Sequence, residues 1–181
     1  MVKLDKIYTR GGDKGYTSLG DGKRIKKSSI RIKAYGEVDE INSIIGIAIC
    51  FCSKSLKKPL IKIQNDLFDL GADLCIPGSE KKIVIDSNQT KFLEQELDKI
   101  NNKLSTLKSF VLPGGTKSSA YLHHARTVTR RCERSVVELR NKEKINNEVI
   151  KYINRLSDFL FVAARIENNN DGDILWIPKK N

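Results

Sequence analysis

No apolar run in this chain is long enough to cross a bilayer. The longest, Ile44-Ile45-Gly46-Ile47-Ala48-Ile49-Cys50-Phe51-Cys52, falls well short of the roughly 20 residues a spanning helix needs. The first apolar run is also too short for a secretory signal. The four cysteines, Cys50, Cys52, Cys75 and Cys132, show no C-x-x-C spacing and sit in helical apolar patterns. They are expected to be buried free thiols rather than metal ligands or disulfides, in keeping with a reducing cytoplasm. The only two histidines, His123 and His124, are adjacent. On a helix they diverge by about 100°, so they cannot chelate a metal as an i, i+4 pair, and they read as packing or surface residues. There is no G-x-x-x-x-G-K-[ST] loop and no glycine fingerprint within a βαβ unit. Nor is there an internal repeat, a low-complexity tract or a linker, and 181 residues fit one domain. Acid is in deficit: 33 Lys+Arg against 22 Asp+Glu leave a net charge of +11. Such a balance suits polyanionic partners such as nucleotides, nucleic acid or anionic membrane, although most of the lysines are expected to form a solvated surface.

What the chain does have begins at Tyr8-Thr9-Arg10-Gly11-Gly12-Asp13-Lys14-Gly15-Tyr16-Thr17. Three glycines permit positive φ and close backbone approach. Successive N–H groups in such a loop can form an anion-binding concavity. Arg10 and Lys14 can neutralise phosphate, and the Thr9 and Thr17 hydroxyls can donate to it. The composition fits a polyphosphate site, and equally a plain glycine turn. Beyond the loop the sequence reads as basic and irregular through Lys33.

Helical periodicity then dominates. Val38, Ile41, Ile45, Ala48 and Cys52 form one stripe; Leu60, Ile63, Leu67, Leu70 and Leu74 form the next. A turn at Pro77-Gly78-Ser79 and a short strand or extended loop from Lys82 to Ile85 follow. Asp86 or Ser87 can cap a third helix with Leu93, Leu97, Ile100, Leu104 and Leu107. The loop Phe110-Val111-Leu112-Pro113-Gly114-Gly115-Thr116 breaks the pattern. The fourth stripe is Leu122, Ala125, Val128, Cys132, Val136 and Leu139, and the fifth Val149, Ile153, Leu156, Leu160 and Ala164. The expected fold is all-α: a five-helix up-and-down bundle. It divides into a nucleotide-binding loop segment (1–33), the bundle (34–169) and a tail (170–181), polar apart from Ile174-Leu175-Trp176-Ile177, that docks or frays.

Two helices carry polar constellations. Arg126, Arg130, Glu133 and Arg134 share one broad side of the fourth helix. Arginine is suited to bidentate phosphate binding, so this side reads either as a polyanion clamp or as an exposed face knitted by Arg–Glu pairs. On the fifth helix Asn154, Asp158 and Phe161 share a face beside the apolar stripe. Partly buried polar groups there need partners, often a ligand or a neighbouring subunit. Glu37-Val38-Asp39-Glu40 reads as the opening of the first helix, where carboxylates favour its dipole or pair across an interface.

Together these segments resemble the PduO-type ATP:cob(I)alamin adenosyltransferases. The likeness rests on Tyr8 to Gly15, Ala34-Tyr35-Gly36-Glu37-Val38-Asp39-Glu40-Ile41-Asn42, Gln64-Asn65-Asp66-Leu67-Phe68 and Phe110 to Gly115. Its most specific parts are Ala125-Arg126-Thr127-Val128-Thr129-Arg130-Arg131-Cys132-Glu133-Arg134 and Tyr152-Ile153-Asn154-Arg155-Leu156-Ser157-Asp158. Two positions depart from the family: Gly11 stands where Thr or Asn is usual, and Cys132 where alanine is common.

The resemblance implies a homotrimer with ATP bound where subunits meet and cobalamin beside it. It implies that Thr9, Arg10, Gly11, Gly12, Asp13, Lys14, Gly15, Thr17, Ser18 and Lys27 hold the nucleotide, with Arg130, Glu133, Arg134 and Asn154. Glu133 would take Mg²⁺ with the phosphates. Asp39 and Arg126 match an intersubunit ion pair on the cobalamin side, and Phe110 and Phe161 match aromatics lining the corrin. The implied reaction is attack of cob(I)alamin cobalt on the 5′ carbon of ATP, with loss of triphosphate. Arg130, Asn154 and Phe110 would be its catalytic residues, and Phe110 would displace the lower axial ligand of cob(II)alamin. A flavin-type reductase and an adenosylcobalamin-dependent enzyme are the implied partners, with neither nucleic acid nor membrane among them. Two rival readings remain. A basic nucleic-acid-binding module would use the same arginines, but no nucleic-acid motif is present and the glycine loop would have no role. A nucleotide sensor or cobalamin carrier would keep the fold without the chemistry, which the Arg130 and Asn154 positions oppose.

Overall fold

The computed structural model describes residues 7–78, 83–168 and 172–179. A short hairpin, β1 (Tyr16–Ser18) and β2 (Arg24–Lys26), pairs antiparallel with Thr17 opposite Ile25. Five helices follow: α1 (Ile30–Phe51), α2 (Lys54–Cys75), α3 (Ser87–Asn101), α4 (Lys117–Lys142) and α5 (Asn147–Glu167). Four have side-chain caps of the expected kind. Ser29, Asp86, Thr116 and Asn146 accept hydrogen bonds from the first-turn N–H groups of α1, α3, α4 and α5. Asp86 does so in a full capping box with Gln89.

The bundle runs up and down, as expected. α4 lies between α1 and α5; α2 packs on α1, and α3 on α5. The predicted stripes of α1, α2, α4 and α5 are all buried, and they fuse into one core. Polar clasps fix the ends. The Arg31 guanidinium, 1 % exposed, donates to the Leu74 carbonyl at 2.5 Å. It also donates to Glu143 Oε2 at 2.6 and 3.1 Å, tying the start of α1 to the ends of α2 and α4. At the opposite end the Ser53 side chain makes no cap hydrogen bond to α2. Its N–H and Oγ donate instead to the buried Glu167 carboxylate at the end of α5, at 3.1 and 2.6 Å.

Several expectations are corrected. The segment read as irregular through Lys33 contains the hairpin, and α1 starts at Ile30 because Ser29 caps it there. Glu37 to Glu40 therefore lie beyond the first turn, out of reach of the dipole. Glu37 and Glu40 instead face Arg131 of α4 within the same chain. α3 ends at Asn101, which leaves Leu104 and Leu107 in the following loop. All four cysteines are free, but Cys50 is exposed; burial pushes the Cys52 thiol up to about 12. Ser79, Lys82 and parts of the tail lie outside the described residues.

Truncating Glu143 leaves a buried guanidinium with only a carbonyl for company. Glu143→Ala should cost about 3 kcal/mol, the low end for breaking a buried pair, because Glu143 is partly solvated. Urea denaturation at neutral pH measures this as a lower midpoint with an unchanged slope.

Candidate functional site

The glycine loop is open and held from behind. Arg10 takes φ 60 and Gly15 φ 76, and turn hydrogen bonds run from Asp13 N–H to Arg10 O (3.3 Å) and from Gly15 N–H to Gly12 O (3.1 Å). The hairpin then closes on the loop. Lys27 N–H donates to Gly15 O at 2.8 Å, and Arg24 Nη2 donates to Gly11 O at 2.6 Å. A Cβ at Gly12 would lie 2.8 Å from Lys27 Nζ, so glycine is what lets that ammonium rest on the loop. Thr9, Asp13 and Lys14 are exposed, and their side chains have no hydrogen bond or ion pair among the described residues. The result is a turn with an ammonium beside it and its hydroxyl, carboxylate and second ammonium unused. Ser18 is partly engaged by Arg24 at 3.4 Å, and Thr17 is half-buried.

A second polar group forms where α4 meets α5. Asn154 Nδ2 donates to Glu133 Oε1 at 2.9 Å. Arg130 is exposed, its guanidinium unpartnered among the described residues, and its carbonyl accepts from Arg134 Nη1 at 3.0 Å. Arg131, one residue on, turns to the other side to meet Glu40 and Glu37. Among the described residues Arg126, Arg130 and Arg134 make no ion pair with glutamate, whereas Arg131 pairs with both Glu37 and Glu40. Asn154 and Asp158, expected to be partly buried, are exposed, since both sit at the outer edge of the α4–α5 seam. Among the described residues no hydrogen bond or ion pair joins residues 9–27 to Arg130, Glu133, Arg134 or Asn154.

A third group lies nearer the start of α4. The Arg126 guanidinium stands 5.9 Å from the Phe161 ring, with Nε buried and unpartnered. Burial, then the neighbouring Arg130, holds it below the ordinary guanidinium range. Asp39, exposed and unpaired among the described residues, sits on a groove of about 320 Å³ between α1 and α2, beside Tyr35, Asn42 and Phe68. Asp39 and Arg126 do not pair within this chain. Phe110 is 78 % exposed at the crest of the α3–α4 loop. Its ring meets Trp176 of the tail at 6.0 Å rather than Phe161.

Two alternatives left open by the sequence are decided here. His123 is the packing residue of its pair: it is buried, edge-on to Phe161 at 6.1 Å, with both ring nitrogens unpartnered among the described residues. Its neighbour His124 is exposed. The tail is docked, with Val111 bridged to Leu175, and the apolar run Ile174–Ile177 was the available signal for it. Burial, then Arg126, pushes the His123 imidazole below its ordinary value, with Asp173 opposing. The unfolded chain therefore takes up the proton first as pH falls, and stability is full above about pH 6.5 and declines below it. His123→Leu should lose less melting temperature between pH 7 and pH 5 than the parent protein. Thermal scans of the two side by side across that interval give the difference.

A family model described as cobalamin adenosyltransferase matches residues 7–167. A corrinoid adenosyltransferase from Bacillus subtilis is 44 % identical over 92 % of this chain and 89 % of its own length. A cobalamin adenosyltransferase from Cupriavidus metallidurans is 46 % identical over 96 % of this chain and 95 % of its own. Among solved structures, a variant PduO-type ATP:corrinoid adenosyltransferase from Lactobacillus reuteri complexed with cobalamin and ATP superposes with a TM-score of 0.90 at 40 % identity. It covers 94 % of this chain and 99 % of that one.

Proposed function

The chain belongs to the cobalamin adenosyltransferase family and transfers the adenosyl group of ATP to cobalamin; we propose that it does so at a site completed by a neighbouring copy of itself. One observation carries this reading. The open glycine loop and the Arg130–Glu133–Arg134–Asn154 face each present unused phosphate-binding groups, yet among the described residues no hydrogen bond or ion pair joins them within one chain. A homotrimer of such chains sets the loop of one subunit against the arginine face of the next. Asp39 and Arg126, each unpaired here, are the complementary charges for that boundary.

In this site the loop N–H groups, Thr9, Arg10, Lys14, Thr17, Ser18 and Lys27 surround the triphosphate, with Gly11, Gly12, Asp13 and Gly15 shaping the turn. Arg130 and Arg134 take charge from the far side. Asn154 orients Glu133 by a single hydrogen bond to Oε1 and, among the described residues, leaves Glu133 Oε2 without a hydrogen-bond partner. One free carboxylate oxygen among phosphate-binding groups fits Mg²⁺, which takes few protein ligands and completes its shell with phosphate and water. When bound, Mg²⁺ would offset triphosphate charge.

The substrate supplies the nucleophile. The electron pair of cob(I)alamin cobalt forms the bond to the 5′ carbon, the C5′–O bond breaks, and triphosphate leaves with the electrons of that C5′–O bond. The protein contributes positioning and stabilisation of the leaving charge, which suits arginines and fixed N–H dipoles rather than a covalent nucleophile. Phe110 and Phe161 form the corrin side. Phe110 fills the space below cobalt and excludes the axial base of cob(II)alamin, easing its one-electron reduction. A flavin-type reductase supplies that electron, and an adenosylcobalamin-dependent enzyme takes the product. The free thiols fit the cytoplasm, and no helix among the described residues is long and apolar enough to cross a membrane.

Light scattering at micromolar concentration should give the mass of a trimer; a monomer that turns over would sink the shared site. Arg130→Ala should lower turnover per KM for ATP by roughly 2–3 kcal/mol, about 30- to 150-fold, with little change in melting temperature. Steady-state kinetics in anaerobic MgATP and cob(I)alamin measure it.

A further inference from the structure

Phe110 is 78 % exposed, so its own packing cannot hold it. Its place is set by the backbone of residues 102–116, and that backbone is held by the tail. Trp176 N–H donates to Phe110 O at 2.7 Å, Leu112 N–H donates to Ile174 O at 2.8 Å, and Ser109 Oγ donates to Trp176 O at 2.7 Å. The Trp176 ring lies against Phe110 at 59°. The tail is in turn fixed by Asp173. Its Oδ2 accepts from Arg165 Nε at 2.7 Å and its Oδ1 from Asn168 Nδ2 at 3.2 Å.

Those two partners each grasp one end of the same loop. Arg165 Nη2 donates to Ser105 O at 2.9 Å, and Asn168 Oδ1 accepts from Thr116 N–H at 3.2 Å. A Cβ at Gly115, where φ is 96, would collide with the Asn168 carboxamide. The side chains of Arg165 and Asp173 are only 6 % and 10 % exposed. One carboxylate therefore links both feet of the loop, through the end of α5, to the tail segment bridged to its crest.

We propose that Asp173 is the positioning residue for Phe110, acting through Arg165, Asn168 and the docked tail. It rests on the reading that Phe110 excludes the axial base. A buried charged pair is a costly way to gain stability; what this one supplies is a fixed location for an aromatic that solvent would otherwise leave free. Asp173 touches neither ATP nor corrin in this scheme, so its loss should mimic loss of Phe110 without touching the phosphate clamp.

Trp176 is the sole tryptophan of the chain, and its emission reports the tail directly. The experiment compares the full-length parent, D173N, Asp173→Glu and Phe110→Ala, with cob(I)alamin, and with cob(II)alamin plus reduced flavin. In D173N, turnover from cob(II)alamin should fall about tenfold more than turnover from cob(I)alamin, with the KM for ATP nearly unchanged. Trp176 emission should shift to the red and quench more readily with acrylamide. Asp173→Glu, which keeps the carboxylate, should recover part of both. If Phe110→Ala splits the two rates and D173N keeps the parent ratio, the proposal is overturned. If Phe110→Ala shows no split, the axial-base reading falls alone, and unchanged Trp176 emission in D173N then overturns the positioning role separately. Should D173N fail to fold, R165M/D173M replaces the pair with apolar groups, an exchange that is often neutral or stabilising. The same two readouts decide, because methionine can hold neither the Ser105 carbonyl nor the Asn168 amide.

Discussion

The polar groups of α4 take their direction from the way that helix is wedged between α1 and α5. Leu122, Ala125, Val128, Cys132, Val136 and Leu139 are all buried along it, so the helix cannot rotate without exposing a core stripe. At about 100° per residue, that one constraint sends Arg131 toward α1, where Glu37 and Glu40 meet it. It leaves Arg130 exposed and sends Glu133 toward α5, where Asn154 meets it. Neighbouring arginines thus do unlike work: one ties helices together, and the other is left open. Cys132, between Arg131 and Glu133 in sequence, faces the core, and its thiol is pushed up by burial.

Much of the fold was legible in the sequence because its signal is local. Leucines and isoleucines at 3-and-4 spacing report a helix and its buried face within a single window. What escaped was decided by contacts distant in sequence or by one hydroxyl. Ser29 moved the start of α1 ahead of the apolar stripe that announced it. Leu104 and Leu107 continue the stripe of α3 beyond the point where the helix stops, so periodicity alone overran. The hairpin of three-residue strands is too short for alternation to show.

The candidate site was legible in a different way. The types of residue were readable as phosphate-binding groups, and the resemblance supplied their roles. Geometry then divided them. Glu133 and Asn154 meet, as do Arg126 and Phe161. Asp39 and Arg126 do not, and neither do Phe110 and Phe161. No window of sequence could report that separation, because it follows from which helices are neighbours. Which of His123 and His124 packs was open for a similar reason: the burial of His123 beside Phe161 depends on how α4 and α5 cross.

The Glu167 carboxylate that receives Ser53 has a consequence for how the chain comes into being. The N-terminus of α2 is completed by a residue 114 positions downstream. As the chain is synthesised from its N-terminus, α1 and α2 emerge with that end of α2 unfinished. The Ser53 N–H there waits on water until the last helix arrives with its negative charge, which also favours the positive end of the α2 dipole. Closing so long a loop is slow relative to forming a helix. The first helical pair is therefore held open to adjustment until nearly the whole bundle exists, and the final helix locks the earliest ones in place.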